Sequence, residues 1–198
     1  MSEKLKLFIF DVGGVLCDGT SLVVPIARHL GLNEQEFLAL ARRAGLREIQ
    51  IGKISPREFW KNFSEIFGRA IERDLWAEFF KPVLKPDTVR LIEELRKKYR
   101  AVAGTNTIES HYQIHLQQGH YDVFDRVYAS HQIGLMKPQK EFFLYILKSE
   151  SAKAEETFFV DDTIENVTAA RDMGIRSFLF TSAEKLKQQL ASLEVLDS

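Results

Sequence analysis

LKLFIFDVGGVL, at residues 5–16, carries the clearest structural signal in the chain. It begins with an apolar-rich run that ends at Asp11, and Gly13 and Gly14 follow closely. A run of this length that is apolar on both faces is typical of a strand in a sheet covered on both sides. The stretch therefore predicts a buried strand with a carboxylate at its carboxyl end.

Three further runs of the same kind lie downstream, at residues 101–103, 157–160 and 177–180. Helical patterns separate them: one opens at Pro86, one opens at Pro138, and one runs over residues 163–173 and ends at Gly174, a typical helix stop. Because parallel neighbouring strands need long crossovers, alternating strands and helices predict a parallel sheet. We expect an α/β fold with a doubly wound, Rossmann-like core.

One segment breaks this alternation, since from about Gly19 to Leu84 the patterns are helical throughout. At residues 55–58, SPRE has a cap, a proline and a glutamate in capping-box order. We expect about four helices here, near residues 22–30, 33–44, 56–67 and 71–80, with Phe59, Trp60 and Phe63 in their interior. The prediction is a small helical cap at residues 18–84, inserted into an α/β core formed by residues 1–17 and 85–198.

The composition of the chain disfavours nucleic-acid and membrane partners. The formal net charge is −1, with basic and acidic residues mixed along the chain, so a nucleic-acid partner is not expected. The longest apolar runs are far shorter than the roughly 20 residues that a membrane-spanning helix needs, so no membrane attachment is expected either. Cys17 is the single cysteine, which excludes an internal disulfide and favours a cytoplasmic location.

Cys17 and the histidines carry no metal-site pattern in the sequence. A lone cysteine is usually a small buried apolar residue. His111, His115, His120 and His131 have no cysteine or carboxylate partners at metal-like spacing. We therefore expect packing or surface roles for these side chains. His111 follows Thr105 and Asn106 closely and His131 precedes Lys137 closely, so these two histidines also stay candidates for a site role.

Polar side chains gather where three of the predicted strands end. They are Asp11, the pair Thr105 and Asn106, and the pair Asp161 and Asp162, and Lys137 precedes a nearby helix. In open α/β sheets, ligands bind beyond the carboxyl ends of the strands. Carboxylates hold magnesium, lysine and hydroxyl groups neutralise phosphate oxygens, and a carboxylate can attack phosphorus. The set therefore predicts phosphoryl transfer.

Four stretches resemble, in order, the four motifs of the haloacid dehalogenase-like hydrolase superfamily. They are FDVGGVL at residues 10–16, GTNT at 104–107, Lys137 with Pro138, and FFVDDTIENV at 158–167. The helical insert after the first motif is similar to one class of cap in that superfamily. The resemblance covers nearly the whole chain, and the glycine at position 13 is shared with a subgroup resembling glucose-1-phosphate phosphatases and the N-terminal domains of epoxide hydrolases.

The resemblance implies a role for each matching residue. Asp11 is the expected nucleophile, and the expected catalytic partners are Lys137 and Thr105. Thr105, Asn106 and Lys137 are expected to hold the phosphoryl oxygens. The expected ligands of one Mg²⁺ ion are Asp11, the backbone carbonyl of Gly13, Asp162 and Asp161, with Asn166 beside them. The implied substrate is a small-molecule phosphate ester such as a sugar phosphate.

Gly13 departs from the commonest pattern of the superfamily, in which a second aspartate at this position acts as general acid. Losing a general acid typically costs about 10²–10⁴-fold in rate. A water molecule or Asp18 remains a candidate substitute. Two alternatives stay open: a catalytically weak or inactive phosphoryl-binding protein, and a metal-free 2-haloacid dehalogenase, which the paired Asp161 and Asp162 disfavour.

Overall fold

The structure, a computed structural model, describes residues 4–196. Its strands are short, and those of the central sheet are buried except at the edges. They are β1 (Leu7–Phe10), β2 (Cys17–Asp18), β3 (Val83–Leu84), β4 (Arg100–Thr105), β5 (Arg126–Ala129), β6 (Thr157–Asp161) and β7 (Arg176–Leu179). Five of them form one sheet in the order β5-β4-β1-β6-β7, and every neighbouring pair in it is parallel.

The helices of residues 4–196 fall into those of the inserted segment and those that flank the sheet. The inserted helices are α1 (Val23–Leu30), α2 (Glu34–Ala44), α3 (Leu46–Gln50), α4 (Pro56–Phe67) and α5 (Leu75–Phe79). The flanking helices are α6 (Pro86–Arg96), α7 (Glu109–Gln117), α8 (Ser130–Ile133), α9 (Lys140–Ser149), α10 (Ile164–Arg171) and α11 (Ala183–Ser192). Short 3-10 helices lie at His120–Val123 and Ala154–Glu156.

Helices cover both faces of the sheet, and β1 shows how. Phe8 and Phe10 pack into a cluster with residues of α6 and α11, whereas Leu7 and Ile9 pack into another with residues of α9. Successive side chains of a strand point to opposite faces, so an entirely apolar strand is what a doubly covered sheet requires. The predicted doubly wound α/β fold is confirmed.

The predicted strands correspond to β1, β4, β6 and β7, and β5 was not predicted. It lies at the edge of the sheet, has four residues, and begins with the exposed Arg126. Its apolar run, residues 127–129, is only three residues long and lies between the charged Arg126 and the polar Ser130, so the pattern did not identify it as a strand.

Helices α1 to α5 pack around a hydrophobic cluster of their own. It contains Phe37, Phe59, Trp60, Phe63 and Trp76, whose adjacent rings have centroids 5.1 to 6.2 Å apart. The predicted interior positions Phe59, Trp60 and Phe63 are therefore buried as expected. The segment holds the four predicted helices and one more, α3. We refer to α1–α5 as the cap.

The chain leaves the sheet region and returns to it through β2 and β3. Cys17 pairs with Leu84 and Asp18 with Val83 in an antiparallel pair. The predicted domain boundaries, 17/18 and 84/85, fall on these two strands and stay predictions. The predicted core also includes residues 1–3 and 197–198, which lie outside the described residues. Within residues 4–196, every helix is too short or too polar to cross a bilayer.

Candidate active site

The register of the sheet brings the predicted site residues together at the carboxyl ends of its strands. Phe10 lies beside Ala103 of β4 and Val160 of β6, so Asp11, Thr105 and Asp161 follow or end adjacent strands. A cavity of about 200 Å³ opens there. Among the predicted residues, those that line it are Asp11, Gly13, Thr105, Asn106, Lys137 and Asn166.

Lys137 lies at the centre of a buried charge cluster. Its side chain is 1% exposed, and its Nζ is 2.8 Å from Asp11 Oδ1 and 2.7 Å from Asp161 Oδ2. Asn166 Nδ2 donates to both oxygens of Asp161 at 3.1 Å, and the Thr163 N–H donates to Asp161 Oδ1 at 2.8 Å. The Asp161 carboxylate is therefore fully engaged in holding Lys137 and the start of α10.

The charges of this cluster change one another's pKa values. The pKa of Asp11 is raised to about 6, because the effects of burial and of the nearby Asp161 carboxylate together outweigh the opposing effect of Lys137. Burial by itself lowers the pKa of Lys137, but the carboxylates of Asp11 and Asp161 outweigh it and the pKa is raised. Lys137 is therefore a permanent cation, and Asp11 is mostly ionised at neutral pH.

Three carboxylates meet beside this single cation. One oxygen each from Asp11, Asp161 and Asp162 lies within 4.8 Å of the others. Gly14 permits this approach: it has a φ of +73°, and a Cβ at this position would collide with the Asp162 carboxylate. A set of oxygen donors with excess negative charge suits a hard divalent cation such as Mg²⁺. Because Asp161 is already engaged, Asp11 and Asp162 are the better placed direct ligands.

Asn106 positions Lys137 through its backbone. The Lys137 N–H donates to Asn106 Oδ1 at 2.8 Å, and Asn106 Nδ2 donates to the Lys137 carbonyl at 2.9 Å. Sequence reasoning missed this reciprocal pair, because the two residues are 31 positions apart and belong to different motifs. The predicted phosphoryl-binding role of Asn106 stays a prediction.

Thr20 occupies the space beside Gly13. A Cβ at position 13 would lie 3.1 Å from Thr20 Oγ1, and Thr20 also lines the cavity. Asp18, the candidate substitute for the missing acid, instead has a side chain that is 70% exposed and lies 3.1 Å from Lys85 Nζ. Asp18 is not among the residues that line the cavity. No motif or spacing indicated a role for Thr20 in advance.

Two histidines of α7, His111 and His115, also line the cavity. The His111 ring stacks on Phe80 with centroids 3.9 Å apart, and Phe80 directly follows the last helix of the cap. Burial lowers the pKa of both histidines to about 4, so both rings are neutral at neutral pH. Packing or surface roles were expected for both, and His111 was also a candidate for a site role. Both histidines line the cavity, and His111 packs against Phe80 as well.

The expectation that the histidines lack a cysteine partner is wrong for His115 and His120. Cys17 Sγ lies 3.8 Å from His120 Nδ1, and the Nδ1 atoms of His115 and His120 are 2.9 Å apart. The contact escaped sequence reasoning because Cys17 and His120 are 103 positions apart. As expected, the Cys17 side chain is buried.

A second cavity, of about 340 Å³, adjoins the first between the cap and the site. The two cavities share Thr20, Asn106, Thr107 and His111. The apolar residues that line the second cavity are Leu22, Val23, Leu38, Leu46, Trp76 and Ile108. The space next to the charged cluster is therefore walled largely by apolar side chains.

The chain is similar to one family of hydrolases and to several proteins of known activity. The sequence profile of the haloacid dehalogenase-like hydrolases matches residues 5–174. Sesquiterpene phosphatase astK of Aspergillus oryzae is 29% identical over 199 residues, which are 98% of this chain and 98% of that protein. D-ribitol-5-phosphate phosphatase of Bacteroides thetaiotaomicron is 28% identical over 202 residues, which are 94% of this chain and 97% of that protein.

A shorter match and a solved structure extend the comparison. Drimenol cyclase drtB of Aspergillus calidoustus is 40% identical over 73 residues, which are 37% of this chain but only 14% of that protein. A HAD family enzyme from Bacteroides thetaiotaomicron, solved with magnesium and inorganic phosphate, superposes with a TM-score of 0.74 at 24% identity. That match covers 89% of this chain and 94% of the other, and it shows a shared fold.

Proposed function

The chain belongs to the haloacid dehalogenase-like hydrolase family, and from that premise we propose that it is a magnesium-dependent phosphatase of small phosphomonoesters with Asp11 as nucleophile. One observation carries the proposal. The Lys137 ammonium is held 2.8 Å from Asp11 and 2.7 Å from Asp161, beside the third carboxylate of Asp162. A buried cation among three carboxylates at the ends of parallel strands suits the binding and transfer of an anionic phosphoryl group.

The residues that would hold Mg²⁺ are Asp11, Asp162 and the carbonyl of Gly13, with Asp161 supporting them. When bound, the ion supplies positive charge that offsets the negative charge of the phosphoryl oxygens and of the carboxylates. Two phosphatase relatives, and a structural neighbour crystallised with magnesium and phosphate, support this assignment.

Asp11 would attack phosphorus through the carboxylate oxygen that Lys137 does not hold. A P–O bond to Asp11 forms, the ester P–O bond breaks, and the departing alkoxide takes up a proton. Lys137 and the Thr105 hydroxyl would bind the phosphoryl oxygens during this step. Water then attacks the phosphorus of the aspartyl-phosphate, which releases inorganic phosphate and restores the carboxylate.

The leaving group would receive little help from the protein. Position 13 carries no carboxyl, and the neighbouring Thr20 hydroxyl is a far weaker acid, which can orient a water molecule but cannot replace the acid. We therefore expect good leaving groups, such as nitrophenol or an anomeric sugar oxygen, to turn over about 10²–10⁴-fold faster than simple alkyl phosphates.

The adjoining apolar cavity favours a second substrate class beside sugar phosphates. Its walls include Leu22, Leu38, Leu46, Trp76 and Ile108, which suit the hydrocarbon part of an apolar alcohol better than a polyol. The relatives support both classes, because one is named a sesquiterpene phosphatase and another a ribitol-5-phosphate phosphatase. Comparing kcat/KM for isoprenyl and sugar monophosphates decides between them.

The central test is phosphate release from p-nitrophenyl phosphate with Mg²⁺. We expect turnover by the wild-type protein, and a loss of at least about 10³-fold in Asp11→Asn. The matched control is Asp18→Asn, which alters an exposed carboxylate outside the cavity and is expected to keep activity. Release that is unchanged in Asp11→Asn contradicts the proposal.

The remaining outcomes identify the alternatives. Tight phosphate binding without turnover across a panel of phosphomonoesters indicates a phosphoryl-binding protein. Halide release from a 2-haloacid that persists in EDTA indicates a dehalogenase. Either result replaces the phosphatase assignment.

A further inference from the structure

Cys17, His115 and His120 form a second cluster of metal-ligating side chains, separate from the three carboxylates. One ligand atom from each lies within 4.8 Å of the other two. All three residues are buried, with exposures of 0%, 3% and 8%. A thiol and two imidazoles are the donor types that bind zinc in proteins.

The spacing of these atoms is close to that of a tetrahedral zinc site. Zn–N bonds of roughly 2.05 Å and Zn–S bonds of roughly 2.3 Å imply N···N and S···N edges of about 3.3 and 3.6 Å. The observed separations are 2.9 Å between the two Nδ1 atoms and 3.8 Å between Cys17 Sγ and His120 Nδ1. These two edges differ from the ideal values by less than about half an ångström. The third edge, between Cys17 and His115, lies within 4.8 Å.

The protonation states of the two rings also suit a cation. Because the Nδ1 atoms of His115 and His120 face each other at 2.9 Å, a single proton lies between them, and one nitrogen donates while the other accepts. A metal ion in that place would receive a lone pair from each ring.

A polar group without a partner lies next to the cluster. The Tyr121 ring is 5.1 Å from that of His115. Its hydroxyl is buried and has no hydrogen-bond partner among residues 4–196. Buried polar atoms are normally satisfied, and a water molecule on a bound metal would supply the missing partner.

We propose that Cys17, His115 and His120 form a zinc site at the base of the cap. The donors distinguish this site from the magnesium cluster, because thiolate and imidazole prefer Zn²⁺ whereas carboxylates and carbonyls prefer Mg²⁺. On binding, the Cys17 thiol loses its proton to solvent, and the donating imidazole shifts its proton from Nδ1 to Nε2. The fourth position is left for water.

A zinc ion at this site would join two separate parts of the fold. Cys17 belongs to β2, which pairs with β3 where the chain returns from the cap. His115 lies on α7, and its ring is 5.1 Å from that of Phe80, just after the cap's last helix. A zinc ion would therefore fix the strand that leads into the cap to a helix beside the sheet.

The test is a Co²⁺ titration of the full chain without a polyhistidine tag, in excess Mg²⁺ and a non-thiol reductant. We expect one equivalent to bind with a thiolate-to-cobalt charge-transfer band, and stoichiometric Zn²⁺ to abolish the band. Cys17 is the only cysteine, so this band in the wild-type protein identifies its ligand without any variant. Absence of the band overturns the proposal.

Variants separate this site from the carboxylate cluster. Cys17→Ala is expected to remove the band, and His120→Gln to weaken Co²⁺ binding by at least about tenfold. Asp162→Asn and His29→Gln, which change the other cluster and an exposed histidine, are expected to leave the band intact. A band that survives in folded Cys17→Ala, or that disappears in Asp162→Asn, contradicts the assignment.

Discussion

The helices of the cap and those around the site begin in different ways. In the cap, α2, α4 and α5 start with the side-chain caps Asn33, Ser55 and Asp74. Beside the site, α7 and α10 start without a side-chain cap. Uncapped N–H groups at a helix N-terminus are suited to binding anions. These three cap helices are thus specified by local sequence, although α1 and α3 also begin without a side-chain cap. At α7 and α10 the uncapped starts lie beside the cavity, where their N–H groups can serve a ligand.

The interiors of the two regions differ as well. The cap cluster is composed of aliphatic and aromatic side chains. At the sheet edge, by contrast, Lys137, Asp161 and Asn166 are buried together. Burying charge costs free energy that the hydrogen bonds offset only if every partner is present. The cap is therefore built for packing, whereas the carboxyl ends of the strands give up some packing for chemistry.

Lys137→Met tests the charged interior, and among the variants that compare the two regions we expect it to change stability and turnover the most. It leaves Asp11 and Asp161 without their cation, so we expect a loss of about 3–5 kcal/mol in the free energy of unfolding in EDTA. We also expect phosphatase turnover to fall by about 10²-fold or more. Urea denaturation and p-nitrophenyl phosphate hydrolysis measure the two effects.

Lys140→Met is the matched control, because Lys140 is exposed at the start of α9. Both its stability and its turnover should stay close to the wild-type values. If Lys137→Met is as stable as this control, leaving Asp11 and Asp161 without a cation does not destabilise the protein, which contradicts the prediction.

Phe63→Ala tests the aromatic interior. Phe63 is fully buried in the cap, so the cavity should cost about 3–5 kcal/mol. The two tryptophans of the chain, Trp60 and Trp76, both lie in the cap cluster, so their fluorescence follows this region. We expect the fluorescence transition in urea to shift further than the far-ultraviolet circular dichroism transition.

Phe143→Ala provides the comparison on the other side, since Phe143 is buried against the sheet near Phe142 and Phe159. In this variant, we expect the midpoint of the circular dichroism transition in urea to shift about as far as the fluorescence midpoint shifts in Phe63→Ala. Identical shifts of both probes in both variants would show that cap and core unfold as one unit.

Sequence reasoning succeeded where the signal was local. Residues 5–16 and the segment that ends in Asp161 and Asp162 each combine a strand with polar residues at its carboxyl end. Both the strands and the location of these polar residues at the carboxyl ends of the strands were therefore predictable. The cap helices were predictable for the same reason, because Ser55 and Glu58 form a capping box within one turn.

Sequence reasoning failed where a contact depends on packing between distant segments of the chain. The reciprocal hydrogen bonds of Asn106 and Lys137, the position of Thr20 beside Gly13, and the approach of Cys17 to His120 join parts of the chain that share no periodicity. Their side chains are ordinary in sequence and meet only after the sheet has formed. Neither composition nor spacing can indicate such contacts.

His111→Phe tests the contact between the two regions through its pH dependence. The pKa of His111 is about 4 in the folded protein against an ordinary value of 6.5, because the ring is buried. Between these values the unfolded chain binds more protons, so the folded state loses stability as the pH falls from 6.5 to 4. This shift corresponds to about 3 kcal/mol.

The variant keeps an aromatic ring against Phe80 but cannot titrate. We expect its loss of stability between pH 6.5 and 4, measured by urea denaturation, to be smaller than that of the wild type by about 3 kcal/mol. His29→Gln, at an exposed position on α1, serves as control and should follow the wild type. An acid loss that is equal in all three proteins would show that His111 is not held neutral by burial.

Ser55→Ala and Thr163→Ala together test the difference between the helix starts, with the smallest effects. The Glu58 N–H donates to Ser55 Oγ at 3.2 Å, so Ser55→Ala should cost about 1 kcal/mol of stability and leave phosphatase turnover unchanged. Thr163 precedes α10 without capping it and lines the cavity, so Thr163→Ala should change turnover more than stability. Helix starts that bind ligands and helix starts that stabilise the fold are thus distinguished by which measurement responds. Equal stability losses in both variants would show that Thr163 caps its helix after all and that the two regions begin their helices alike.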